Sequence, residues 1–221
     1  ATSQSEKGKK EWAKLEERER IFIKKYDIIG DIHGHGGELV KLLVHLGYNN
    51  SADGYYHESR KVIFLGDFID RGKELVQHKQ VLKIVMDMVK NKNALAVMGN
   101  HEFNALAYHT KHNGRYLRPH TKKNSDQHRA FLNEFPGESE EKSAILDFFY
   151  TLPLWLEIDG LRVIHACWDD KNISVIRALL PSIRLDKESL IEASTTGTKT
   201  YQAIEVLLKG FEYELPEGTS F

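Results

Sequence analysis

Four stretches place acids, amides and imidazoles directly behind short apolar runs. They are Gly30-Asp31-Ile32-His33-Gly34, Gly66-Asp67-Phe68-Ile69-Asp70-Arg71-Gly72, Gly99-Asn100-His101-Glu102, and His165 after Arg162-Val163-Ile164. Aspartate, asparagine and histidine without a thiolate form an oxygen-and-imidazole donor set. That set suits hard or borderline divalent ions such as Mn2+, Fe2+ or Zn2+. Asp31 and His33 share one side of an extended backbone and can chelate a single ion. Asp67, on a neighbouring strand, can bridge two ions. Two metals ~3.5–4 Å apart can clamp a phosphoryl group and generate hydroxide for in-line attack. The surrounding glycines let backbone approach metal and phosphate closely and accept positive φ in tight turns. Turns and helix caps explain any one of these stretches, since Asp and Asn begin helices and glycine ends strands. They do not explain three parallel stretches with histidine added.

These residues need elements that bring them together. The segments "YDIIG" (26–30), "KVIFLG" (61–66) and "ALAVMG" (94–99) read as buried strands. Between them, 38–48 and 74–90 carry apolar residues at helical spacing, and 101–109 starts a third helix. Strands alternating with helices imply βαβ units, a parallel sheet and an α/β fold. In such a sheet ligands bind beyond the carboxyl ends of the strands, where the first three stretches lie. Later, 154–166 reads as two strands joined by Asp159-Gly160, a hairpin signal.

"GDIHG", "GDFIDRG" and "GNHE" resemble the three opening motifs of the calcineurin-like metallophosphoesterases, and "VIHAC" is similar to the next. The branch most resembled holds phosphoprotein phosphatases and bacterial symmetrical diadenosine tetraphosphatases. The match runs over roughly residues 26–180. The resemblance implies an α/β/β/α fold, a two-sheet β-sandwich flanked by helices. It also implies two divalent ions, Mn2+ foremost with Fe and Zn as alternatives. By resemblance Asp31 and His33 bind the first metal, Asp67 bridges, and Asn100 and His165 bind the second. His101 is the general acid, oriented by Asp70, and Arg71 holds phosphate oxygens, which its planar fork suits. Two features depart from the pattern. No histidine follows His165, where a final metal ligand is expected, and only Arg177 and Arg184 are candidates for a later phosphate-binding arginine. Asp169 or Asp170 could substitute for the missing ligand, and Cys167 reads as a small buried thiol.

The reading that follows is hydrolysis of phosphoric esters, with a Ser/Thr phosphoprotein as first substrate and a dinucleoside polyphosphate such as diadenosine tetraphosphate as the alternative. A second alternative is a truncated or degenerate domain that binds phosphorylated ligands without turnover. Composition sets outer bounds. The 221 residues carry a formal net charge of −1, so no global field points to a nucleic-acid duplex or a membrane as partner. One cysteine excludes an internal disulfide and fits a reducing, cytoplasmic setting. No apolar run approaches membrane-spanning length. Oligomeric state is left open.

Residues 1–25 form a basic polar extension with eight Lys/Arg against five Glu, and 26–221 form the catalytic domain. Within it, 109–135 is a basic, histidine-rich insertion, read either as a solvated loop or as a lid for phosphate-rich substrates. His35 is expected in a loop, and His45, His57 and His78 on the surface. Glu102 is expected to support the site or to start its helix. The closing "YELPEGTSF" reads as the approach to a further element, so the domain is expected to be C-terminally incomplete.

Overall fold

A computed structural model describes residues 25–71 and 77–212. The basic extension up to residue 24 and the closing 213–221 stretch lie outside the described residues. The centre is a three-stranded parallel sheet of β1 (Lys25–Ile29), β4 (Arg60–Phe64) and β5 (Ala94–Ala96), in the order β1-β4-β5. β1 and β4 pair in register from Lys25↔Arg60 to Ile29↔Phe64. The crossovers are α1 (Gly36–His45), followed by the hairpin β2 (Asn49–Ser51) and β3 (Gly54–Tyr56), and then α2 (His78–Lys90). The β2–β3 hairpin was not anticipated, although Asp53-Gly54 at its turn is a recognised signal.

Alternation along the strands divides the apolar side chains between two faces. Val62, Phe64, Ala94, Ala96 and Met98 join the large core under the helices. On that side α2 buries Val81, Leu82, Val85 and Met88. Each such side chain contributes ~1.5–3 kcal/mol on leaving water. Ile63 and Val97 face the other way and pack on Val163, with Tyr26, Leu65, Leu95 and Leu156 at the edges. Val163 and Leu156 belong to the hairpin β8 (Trp155–Ile158) and β9 (Leu161–Ile164), so this hairpin is the second sheet of the sandwich. Asp159 and Gly160 at its turn have φ of 50° and 80°, which matches the expected hairpin. Tyr26 Oη donates to Asp159 Oδ2 at 2.6 Å and ties the turn to β1.

Three expectations need correction. The basic segment after α3 (Asn100–His109) is no irregular excursion. It holds the short hairpin β6 (Lys111–His112) and β7 (Arg115–Tyr116), then α4 (Lys122–Gln127) and α5 (Arg129–Glu134). Thr121 caps α4 by accepting from the Asn124 N–H. Within the segment His120 stacks between Tyr108 and Tyr116, 3.8 Å from each ring. The helix expected from residue 74 begins at His78 behind Gln77 at its N-cap, and residues 74–76 lie outside the described residues. His78, expected on the surface, is fully buried, because Glu134 accepts from its backbone N–H and pairs with its Nδ1 at 2.6 Å. His45 is exposed and His57 half-buried.

The chain then continues through α6 (Glu140–Thr151), β8, β9, α7 (Asp170–Leu179), α8 (Lys187–Ser194) and α9 (Lys199–Lys209). Among the described residues no helix is long and apolar enough to cross a membrane.

Gly66 and Gly99 are the tightest point of the sheet end. Gly66 sits at φ 92°, and a Cβ there would lie 2.3 Å from the Gly99 nitrogen. Gly160 has a similar φ, but a Cβ there would meet nothing within 4 Å. Gly160→Ala therefore isolates the left-handed strain, about 1–2 kcal/mol. Gly66→Ala adds a backbone clash and is expected to cost at least ~2 kcal/mol more. Urea unfolding of both variants checks this; equal losses would mean that the two strands separate without cost.

Candidate active site

The turn that follows β4 is built around a buried carboxylate. Glu102, on α3, is 0% exposed. Its Oε2 accepts from the Asp67 N–H at 2.7 Å and the Gly99 N–H at 3.1 Å, and its Oε1 from the Phe68 N–H at 2.8 Å. Burial first, and then the charge of Asp67, push its carboxyl up to about 7, while the backbone donors favour the ionised form. The same peptides serve the loop after β1. Asp67 O accepts from the Ile32 and His33 N–H groups, and Phe68 O from the Gly34 N–H, each at 2.9 Å. Both loops turn through the left-handed region, with φ of 44° at His33, 54° at Asp67, 65° at Asp70 and 47° at Arg71. Such conformations in non-glycine residues cost on the order of 1–3 kcal/mol each and collect at functional sites. The i, i+2 spacing predicts Asp31 and His33 on extended backbone. They do come together, at 3.5 Å, but through a turn with His33 in the left-handed region.

Asp67 is the hub. Its Oδ1 accepts from the His101 N–H at the start of α3, at 3.0 Å. Its Oδ2 lies 3.6 Å from His33 Nε2, 3.6 Å from His165 Nε2 and 3.9 Å from His101 Nε2. The outer nitrogens set the tautomers. His33 Nδ1 lies 2.8 Å from Ile69 O and His165 Nδ1 lies 2.7 Å from Leu65 O. A carbonyl only accepts, so both Nδ1 atoms carry hydrogen, and in the neutral rings Nε2 presents a lone pair. Burial holds His33 below the ordinary histidine range despite the Ile69 carbonyl and the Asp67 charge. The His33 Nε2 atom is buried and has no hydrogen-bond partner among the described residues. The His165 lone pair faces Asn100 Oδ1 at 3.0 Å as well as Asp67.

Lone pairs aimed at one another from imidazole, amide and carboxylate fit a bound cation. The anchored Nδ1–H groups are the outer contacts that orient metal-binding histidines. Ligand atoms of His33, Asp67 and His101 lie within 4.8 Å of one another, as do those of Asp31, Asp67 and His165. Asp67 belongs to both groups, the position a bridging carboxylate needs. The partition differs from the expected one: Asp31 also groups with His165, and His101 lies as near as a ligand.

Beside this hub, Asp70 is 2% exposed and saturated on both oxygens. Its Oδ2 meets His101 Nδ1 at 2.9 Å, and its Oδ1 meets His128 Nδ1 at 2.9 Å. Burial alone would raise its pKa, but these two hydrogen bonds and the imidazole charges hold it below the usual carboxylate range. For His101 burial acts downward, and the Asp70 hydrogen bond with the charges of Asp67, Asp70 and Glu102 lifts its pKa above the ordinary value.

Asp70, Arg71, Asn100 and His101 form one end of a cavity of about 720 Å3. Its far walls carry Arg118 from the bend after β7, Lys122 and Lys123 from α4, Arg129 from α5 and Lys209 from the end of α9. Arg118 is held by Asn104 Oδ1 at 2.9 Å and Gln127 Oε1 at 2.7 Å.

All the residues expected at the site, Asp31, His33, Asp67, Asp70, Arg71, Asn100, His101 and His165, therefore meet at the strand ends. Other candidates lie elsewhere. Arg177 pairs with Glu157 at 2.7 Å, and Arg184 Nε donates to Thr151 O at 2.9 Å. Asp169 caps α7, and Asp170 accepts from Trp168 Nε1. Cys167 is half-buried and belongs to neither metal-ligand group found among the described residues. His35 is exposed beside Glu38. The sequence offers no sign of the contact of His128 with Asp70, whereas Arg118 lies in the basic segment expected to meet phosphate-rich substrates and lines the cavity. The excess of His, Lys and Arg in that segment is the one signal in the sequence that bears on His128.

The chain matches the calcineurin-like phosphoesterase family over residues 24–190. A protein of Oceanobacillus iheyensis named bis(5'-nucleosyl)-tetraphosphatase PrpE (asymmetrical) is 33% identical over 143 residues, 64% of this chain and 55% of that one. A protein of the same name from Halalkalibacterium halodurans is 43% identical over 77 residues, 34% of this chain and 30% of its own. The chain thus spans about half the length, or less, of these curated relatives. A cold-active protein-tyrosine phosphatase from a psychrophilic Shewanella shares the fold, with a TM-score of 0.50 and 18% identity over 80% of this chain and 56% of that one.

Asp67→Asn removes the charge shared by both groups while keeping the side chain's shape. Affinity for Mn2+, measured by calorimetric titration, is expected to fall at least tenfold, as removal of a shared ligand charge implies. Circular dichroism should show the fold retained. Unchanged Mn2+ affinity in a folded variant would remove Asp67 from the metal-binding set.

Proposed function

We propose that this chain, which belongs to the calcineurin-like phosphoesterases, hydrolyses dinucleoside polyphosphates at the hub around Asp67. The observation that carries the substrate is the cavity. Asp70, Arg71, Asn100 and His101 share one continuous space with five further cations, at Arg118, Lys122, Lys123, Arg129 and Lys209. Acids offset them in part: Asp70 and Glu212 line the same space, Asp126 pairs with Lys122 and Arg129, and Glu205 pairs with Lys209. A single phosphomonoester has no use for so many cations beyond Arg71, whereas a chain of phosphates has. The names of the two PrpE relatives point the same way. This reverses the order in which the sequence alone placed phosphoprotein and polyphosphate.

Asp31, His33, Asp67, Asn100 and His165 would hold two divalent ions. Bound there, such ions would supply positive charge against the phosphoryl oxygens and lower the pKa of water. The protein's own groups do the rest. Arg71 presents a bidentate fork to nonbridging oxygens. His101, protonated on both nitrogens, gives the Nε2 proton to the leaving phosphate oxygen as water, shedding one proton to solvent, adds to phosphorus and the P–O bond breaks; solvent then returns a proton to Nε2. Asp70 keeps the His101 Nδ1–H bound throughout, so the ring presents Nε2 to the substrate. The cationic walls hold the phosphates that do not react and raise the local concentration of the anion.

Two tests follow. If His101 is the acid, His101→Asn should lose on the order of 10²–10⁴-fold in kcat for poor leaving groups, and far less for p-nitrophenyl phosphate. Equal losses on both would assign His101 to positioning or to metal ligation. For the walls, Lys122→Ser with Lys123→Ser should lower kcat/KM for diadenosine tetraphosphate roughly tenfold and barely change p-nitrophenyl phosphate, with the gap closing as salt screens exposed charge. Lys111→Ser with Arg115→Ser, on the hairpin outside the cavity, is the control. An identical response of the two pairs would return α4 to the role of a solvated surface.

A further inference from the structure

We propose that His128 is a positioning residue for the acid, acting on His101 through Asp70. The inference rests on the reading of His101 given above. A buried carboxylate attached to one imidazole is poorly fixed, because the terminal torsion of aspartate is broad and roughly two-fold. Here each oxygen of Asp70 has its own imidazole, at 2.9 Å on both sides. Rotation of the carboxylate therefore breaks two hydrogen bonds at once and strands oxygens that water does not reach. The backbone cannot do this work. Asp70 lies outside helix and strand, at φ 65°.

His128 is itself held firmly. Its ring stacks on Phe131 with centroids 4.8 Å apart and a 19° tilt, and it lies 5.0 Å from the ring of Tyr108. Its Nε2 meets His109 Nε2 at 3.2 Å. Since Nδ1 donates to an ionised carboxylate, a neutral His128 offers the Nε2 lone pair, and His109 Nε2–H supplies the proton. The order of donation is then His109 to His128 to Asp70, with His101 donating from the other side. His128 joins α4 to α5, the elements that line the cavity. The segment that carries the cations thus also fixes the direction of His101. Phosphates seated against α4 and an aligned acid become parts of one arrangement.

A near-isosteric pair of variants isolates the donor. His128→Asn keeps an N–H close to the position of Nδ1, and His128→Leu keeps the bulk without it. The full chain with Mn2+ is assayed on phenyl phosphate, a poor leaving group, and on p-nitrophenyl phosphate. His128→Leu is expected to lower the ratio of the two kcat values about tenfold with KM little changed, and His128→Asn to restore most of it. On a His101→Asn background His128→Leu should leave the ratio where it was. Equal losses on both esters, a ratio lost equally in the Asn variant, or an undiminished effect on the His101→Asn background would show a merely structural role and overturn the proposal. The 15N spectrum of the metal-free chain gives a readout that does not depend on turnover. The slowly exchanging His101 Nδ1–H signal should persist in wild type and His128→Asn and broaden away in His128→Leu. Its persistence in His128→Leu overturns the proposal even if the chain hydrolyses nothing. If Leu unfolds the chain, His128→Phe, which preserves the stack on Phe131, serves in its place.

Discussion

Glu102 holds the Asp67–Phe68 peptides, and nearly everything at the site hangs from them. One side chain accepts three backbone N–H groups from the ends of two strands. That bond set stabilises a turn with a left-handed aspartate and lets Gly66 and Gly99 come into backbone contact. From the other side the carbonyls of the same two residues receive the loop after β1, which sets His33. Neither arrangement is stable by itself. A buried carboxylate without donors would be protonated, and the left-handed turn without that carboxylate would relax.

The sandwich around the site is asymmetric. Helices cover one face of the parallel sheet, and among the described residues the other carries the β8–β9 hairpin alone. The hairpin is nonetheless essential to the site, because His165 follows β9 and is anchored to Leu65 O at 2.7 Å. Its position comes from packing of Val163 on Ile63 and Val97 more than from strand pairing. Ile28, on the same face but beyond the hairpin's reach, is 54% exposed.

Much of this could be read from sequence, and the reasons are local. Asp31, Asp67 and Asn100 follow apolar runs whose parallel pairing forces their ends together, so their convergence needed no contact information. Asp159-Gly160 announced its hairpin for the same reason. His128 could not be read this way. It lies 58 residues from Asp70, in a segment whose surplus of charge resembles a solvated surface. The burial of His78 is likewise hidden from the sequence, because it depends on Glu134, 56 residues on. The helix period says which face turns inward, but not that a polar side chain there has found its partner.

The contacts that close the site span long distances in the chain: 36 residues from His33 to Ile69, 58 from Asp70 to His128, 65 from Asn100 to His165 and 100 from Leu65 to His165. Local helices and hairpins can form before any of these exist, since each closure costs chain entropy that only the finished packing returns. A ligand that recognises the completed cluster therefore binds the fully folded chain alone. By mass action it stabilises that state, by about 2.7 kcal/mol at a hundredfold excess over Kd. Occupancy of the site and integrity of the whole domain are thus one equilibrium, and thermal stability in the presence of ligand reports on both.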